Sequence, residues 1–230
     1  MAKLAIDQST LHFAIISKIV EQGFAPTVDD LCSQFSASRD RVIDGLTALA
    51  HNHGVVLHPK TSEIWVIHPF SLAPTNFCLE SSRGKWWANC AWCSLGAAAL
   101  LQSNVSITTT LGGEARQVQL RIVNGELLDK EFLIHFPVPM KRSWDNVIFT
   151  CSVMCLFESI ESIDSWCLRH NIAKGDVQPV EKIWRFSRAW YGNHLSPSWT
   201  KWTSSEASAL FEQFELTGRI WDLERTDGRF

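Results

Sequence analysis

Apolar residues recur at helical spacing in Leu11, Ile15, Ile16, Ile19 and Val20 before Gly23, which predicts a first helix. Thr27 caps a second predicted helix with Val28, Leu31, Cys32 and Phe35 inward, and Asp29 and Asp30 suit its first turn. Val42, Ile43, Leu46 and Leu49 mark a third. Val55–His58 and Ile64–His68 alternate as strands joined at Pro59–Ser62. Leu72–Cys78 reads as a linker, punctuated by Pro74. A helix is predicted from about Ala88 to Leu101. Strands follow over Val105–Leu111, Val118–Val123, Phe132–Val138 and Val147–Phe157. Ser162–His170 reads as a short helix with Trp166 inward, and Pro179 opens another that reaches Tyr191. Thr203-Ser-Ser-Glu206 is a capping box ahead of Ala207, Leu210, Phe211 and Phe214, with Gly218 as the expected stop.

The first seventy residues have the element order of a winged helix. They hold 5 Lys/Arg against 7 Asp/Glu, and Asp40 and Asp44 lie on the would-be recognition helix. Binding to nucleic acid draws its affinity from neutralised phosphates, so a structural module is the expectation and DNA binding is not. The whole chain has 230 residues and net charge −3, giving no overall field toward polyanions. No apolar run approaches a membrane span, and no long apolar stretch of the secretory kind opens the sequence. The expectation is a cytoplasmic protein with no membrane partner, whose 7 cysteines stay reduced.

Chemistry concentrates in Cys90 and Cys93. A C-x-x-C at a helix start places both sulfurs on one face, where unpaired N–H groups favour thiolate. Cys151 and Cys155, four apart on a strand-like run, are expected to share a face. On these residues alone, redox exchange, half of a metal site and inert packing all remain open. Trp87 and Trp92 flank the thiols as a candidate apolar wall. Asn89 is placed to orient a sulfur or cap the helix. His51, His53 and His58 read as surface residues, and only the tertiary fold would bring His135 or His194 to a metal. The five tryptophans from Trp184 to Trp221 are expected to fasten the tail to the rest.

The stretch W-x-N-C-A-W-C-S-L-G, followed by F-T-C-S-V-M-C-L-F-E-S, resembles the organomercurial (alkylmercury) lyase family. The resemblance covers residues 7 to about 195. It implies an α+β chain with a winged-helix-like domain over 1–72 and a mixed α/β catalytic domain over 73–195. The tail over 196–230 lies beyond the resemblance and is expected from its own pattern to be a helical extension packed on that domain. Cys90 falls on the family's first motif cysteine and Cys151 on its second. Cys93 stands where the family has an aspartate, and Thr109 or a neighbour stands where members often carry a further cysteine.

The implied activity is cleavage of a carbon–mercury bond. Cys90 and Cys151 would bind mercury as nucleophiles, and Cys93 would serve as proton donor or third ligand. The implied partners are a small organometallic or thiol-capped substrate and cytosolic thiols that accept the metal. No cofactor is required, although three thiolates suit a soft ion such as mercury, copper or zinc. Such binding without turnover is the alternative function. A Cys90–Cys93 dithiol enzyme and a thiol-sensing regulator are further ones.

Overall fold

The computed structural model describes residues 6–223 and Phe230. Three helices open it: α1 (Gln8–Gln22), α2 (Val28–Phe35) and α3 (Arg39–His51). Asp7 caps α1 and Gly23 closes it with φ +81°. Thr27 and Asp30 form a full capping box on α2. These local signals sit where the sequence places them, so the helix bounds follow the sequence closely.

Eight strands form one antiparallel sheet: β1 (Val56–Leu57), β2 (Ile64–Ile67), β3 (Phe70–Ser71), β4 (Phe77–Ser81), β5 (Gly84–Ala88), β6 (Val105–Thr110), β7 (Gln117–Val123) and β8 (Glu126–Leu127). Their order is β1-β2-β3-β5-β4-β6-β7-β8. Residues 72–76, expected as part of a linker, instead connect two strands of this one sheet. The turn is tied down: the Thr75 hydroxyl donates to Ala88 O at 2.5 Å and Asn76 Nδ2 donates to Thr110 O at 3.1 Å. Antiparallel pairing of β2 with β3 joins the β1–β2 hairpin to the rest of the sheet. Trp86 adds a second tie, donating from Nε1 to Ile19 O of α1 at 2.7 Å.

Helix α4 (Ala91–Leu101) lies between this sheet and α7 (Val180–Tyr191), and it is apolar around its whole circumference, as an enclosed core helix must be. It starts three residues later than the sequence suggests, because β5 extends to Ala88. Gly96 permits the close approach of α7: a Cβ there would stand 2.3 Å from the Tyr191 ring.

A second sheet orders β9 (Leu133–Phe136) between β10 (Leu156–Phe157) and β11 (Asp176–Pro179). Between β9 and β10 the expected strand over Val147–Phe157 is replaced by helix α5 (Val147–Ser152), a short loop and the two residues of β10. Val, Ile, Phe and Thr favour a strand by composition. Asn146 overrides them by accepting the Phe149 N–H at 3.0 Å and starting a helix. Helix α6 (Ile160–His170) follows and buries Trp166 as expected.

The tail adds α8 (Ser204–Gln213), with the capping box of Thr203 and Glu206 in place. It ends at Gln213, five residues before Gly218, with Phe214 as its C-cap. Residues 224–229 of the proposed extension lie outside the described residues. Aromatic side chains fasten the tail at both ends. Phe211 and Trp221 pack on Phe186, and Trp199 stacks on His12 of α1 with ring centroids 3.6 Å apart.

Burial sets how the fold responds to acid. It holds His12 neutral with a pKa of about 3, and His68 and His135 with pKa values of about 4. The unfolded chain protonates these imidazoles near 6.5 and the folded chain does not, so stability must fall as pH drops below 6.5. The expected result is a urea midpoint that declines between pH 6.5 and about 5, before carboxylates protonate. A midpoint independent of pH over that window would contradict the buried neutral state.

Candidate active site

Cys90 occupies the junction of β5 and α4. Its extended backbone makes it the N-cap, and its Sγ accepts the Cys93 N–H at 3.3 Å. One turn on, Cys93 points to the same side. Cys151 arrives in the last turn of α5. The Ala91 N–H, bonded to Met154 O at 3.1 Å, ties the start of α4 to the loop after α5. All three cysteines line one cavity of about 50 Å³.

Cys155 does not join them. Helix α5 ends at Ser152, so the spacing of four no longer shares a face. The Cys155 thiol donates to Ser152 O at 3.4 Å and packs with Phe157 and Trp166 in a separate cluster. Thr109 is buried but likewise stands apart from the cavity. Trp92 forms part of the wall, against Phe186 and Trp190, whereas Trp87 does not line the cavity. Asn89 does not cap α4. It is buried with no hydrogen-bond partner at Nδ2, and its amide favours the thiolate of nearby Cys151.

Several lining residues escaped the sequence reading. His68 follows β2, and its Nε2 is 4.0 Å from Cys151 Sγ. Tyr191 ends α7 with its hydroxyl 3.7 Å from Cys93 Sγ. Lys201 enters from the tail, and its ammonium lies 4.2 Å from the Trp144 ring centre. Trp144 also stacks on His53, which is therefore not the surface residue expected. His194 does line the cavity, whereas His135 accepts the Gly175 N–H at 3.3 Å away from it.

The helix start does not lower both thiol pKa values equally. Burial dominates at Cys90 and, with its two thiol neighbours, pushes its pKa well up. Cys151 is also raised: the Cys90 thiol favours its ionisation, but Cys93 and burial outweigh that. At Cys93 burial opposes ionisation, yet hydrogen bonds from Cys151 and Cys90, the nearness of His68 and the Tyr191 hydroxyl together hold its pKa well below the thiol range. Of the three thiols, Cys93 is the one whose surroundings favour ionisation, while Cys90 and Cys151 are pushed the other way. Burial pulls Lys201 down to about 7, against the opposing pull of the Cys93 charge.

Three sulfurs and an imidazole around one cavity, on a mixed α/β scaffold, make a donor set of the kind that suits soft metal ions. The chain belongs to the alkylmercury lyase family, whose sequence profile matches residues 70–192. The family is one of carbon–mercury lyases. The fold is similar to that in the crystal structure of the mercury-bound form of MerB2, with a TM-score of 0.67 and 20% identity over 85% of this chain and 94% of that one. No curated protein matches the chain. No helix among the described residues is long and apolar enough to cross a membrane.

Proposed function

We propose that this protein cleaves carbon–mercury bonds of small thiol-capped organomercurials, with Cys90 and Cys151 holding mercury and Cys93 moving protons. The convergence of these three cysteines on one buried cavity carries the reading. Cys93 begins as the thiolate. It takes the proton of Cys151, and the new Cys151 thiolate attacks mercury and expels the capping thiolate. Cys93 passes that proton to the departing thiol and becomes a thiolate again. It then takes the proton of Cys90, whose sulfur becomes the second bond to mercury. Two sulfurs on mercury push electron density onto the bound carbon. The Cys93 thiol protonates that carbon, the carbon–mercury bond breaks, and the hydrocarbon leaves. One proton has gone to the capping thiol and one to carbon, and Cys93 ends as it began. Two external thiols then remove mercury(II) and return protons to Cys90 and Cys151.

The Tyr191 phenol suits this cycle. Burial first, and then the Cys93 charge, keep it protonated, so it donates a hydrogen bond to the thiolate at each end of the shuttle. We also read α1–α3 with the β1–β2 hairpin as a winged-helix-like module whose task is structural, since it delivers His68 to the cavity.

Cys93 separates this site from one with a carboxylate in its place. A third sulfur beside mercury slows release of the product. Reduced protein incubated with phenylmercury and excess small thiol should give a burst of about one benzene per site, then a slower steady rate limited by mercury release. Gas chromatography of benzene measures both phases. Cys90→Ser and Cys151→Ser should abolish the burst. Mercury held by the wild type with no benzene formed would instead support the second reading, a soft-metal thiolate-binding protein, which the third cysteine favours.

A further inference from the structure

We propose that His68, Cys93 and Cys151 form a second, nested ligand set for a zinc-class divalent cation, different from the sulfur pair that takes mercury. The inference goes beyond the lyase reading and does not need carbon–mercury cleavage. The three ligand atoms lie within 4.8 Å of one another, with Cys151 Sγ and His68 Nε2 4.0 Å apart. Bonds of about 2.3 Å to sulfur and 2.0–2.1 Å to nitrogen put tetrahedral ligand atoms roughly 3.5–3.8 Å apart. The observed separations are therefore within about 1 Å of those a tetrahedral cation requires.

Cys90 is outside this set. Its sulfur is engaged twice, accepting the Cys93 N–H and donating to Met154 Sδ at 3.4 Å. Charge favours the same choice. Two thiolates and one neutral imidazole cancel a divalent charge, whereas three thiolates leave a net negative charge in a buried cavity. Mixed nitrogen and sulfur donors suit zinc, cobalt(II) or cadmium, and a linear pair of sulfurs suits mercury(II). The protein supplies three ligands, and the fourth position is left for water or a small thiol. Because Cys151 belongs to both sets, the cation and an organomercurial exclude one another.

Cobalt(II) is the probe, added anaerobically to the reduced full chain. The expected result is one cobalt per chain, with near-ultraviolet sulfur-to-cobalt charge transfer and the visible bands of a tetrahedral centre. Cys90→Ser should keep both features. His68→Gln should weaken binding by at least the roughly tenfold that even a residue hydrogen-bonded behind a ligand costs. Cadmium-113 resonance of the wild type needs no variant, and its shift should report two sulfurs and one nitrogen rather than three sulfurs. The proposal is overturned by a folded wild type that gives no charge-transfer band, or by a three-sulfur cadmium shift. Loss of binding in Cys90→Ser with retention in His68→Gln would overturn it equally. Benzene formation is measured separately, so failure of either proposal leaves the other standing.

Discussion

Cys93→Ala should still take up mercury yet form benzene about 10²–10⁴-fold more slowly in the first turnover, the range that loss of a positioned proton carrier costs. Cys90 and Cys151, the sulfurs proposed to hold mercury, remain in this variant. What disappears is the thiolate proposed to accept their protons and return one to carbon. The ionisation pattern makes the dependence steep, because Cys93 is the one thiol of the three whose pKa the surroundings push down. Without it, either Cys90 or Cys151 must ionise unaided in a buried cavity. Cys93→Asp supplies the complementary arm. A carboxylate restores an acid–base group but removes the third soft ligand, so the first turnover should recover and mercury should leave faster. Single-turnover benzene release and mercury transfer to a dithiol acceptor measure the two steps. An unchanged first turnover in Cys93→Ala would remove Cys93 from the proton path.

Gly96→Ala should destabilise the protein by about 1–3 kcal/mol, as overpacking a filled core does. The sign is the informative part. In an unobstructed helix interior the same change stabilises by roughly 0.5–1 kcal/mol. Here the new Cβ would meet ring atoms of Tyr191 at 2.3 Å. That ring cannot easily retreat, since Trp92 and His194 pack around it. Either α4 and α7 separate, or the Tyr191 hydroxyl leaves Cys93. Urea unfolding followed by circular dichroism reads the stability loss. Adding Tyr191→Leu to Gly96→Ala should recover part of it, because the two side chains compete for one space. A Gly96→Ala protein more stable than its parent would show that the helices have slack.

The parts of the fold legible in the sequence are those governed by near neighbours. The Thr27 and Thr203 capping boxes, the start of α7 after Pro179 and the pairing of Cys90 with Cys93 at a helix start all depend on residues within one turn. Helix α5 was not legible, because its β-branched residues favour a strand and a single asparagine cap decides otherwise. The position of Cys155 was lost with it. The candidate site was half legible. The three cysteines carry motif spacing, but His68, Trp144, Tyr191 and Lys201 have no fixed spacing from any of them. His68 arrives through the sheet register of β2 and β3, Trp144 in the segment before α5, Tyr191 with the docking of α7 over Gly96 and Lys201 with the return of the tail. Asn89 does lie beside the cysteines, but Cys90 itself supplies the cap of α4.

The tail that brings Lys201 to the cavity also imposes an order in time. During synthesis all three cysteines leave the ribosome before Tyr191 and Lys201 do. At about 5–20 residues per second, Cys151 precedes Lys201 by several seconds. In that interval the nascent chain presents thiols without the walls that bury them or the phenol that steadies their charge. The finished pocket is thus a late product of assembly, closed only once the chain beyond Val180 has docked over the three cysteines.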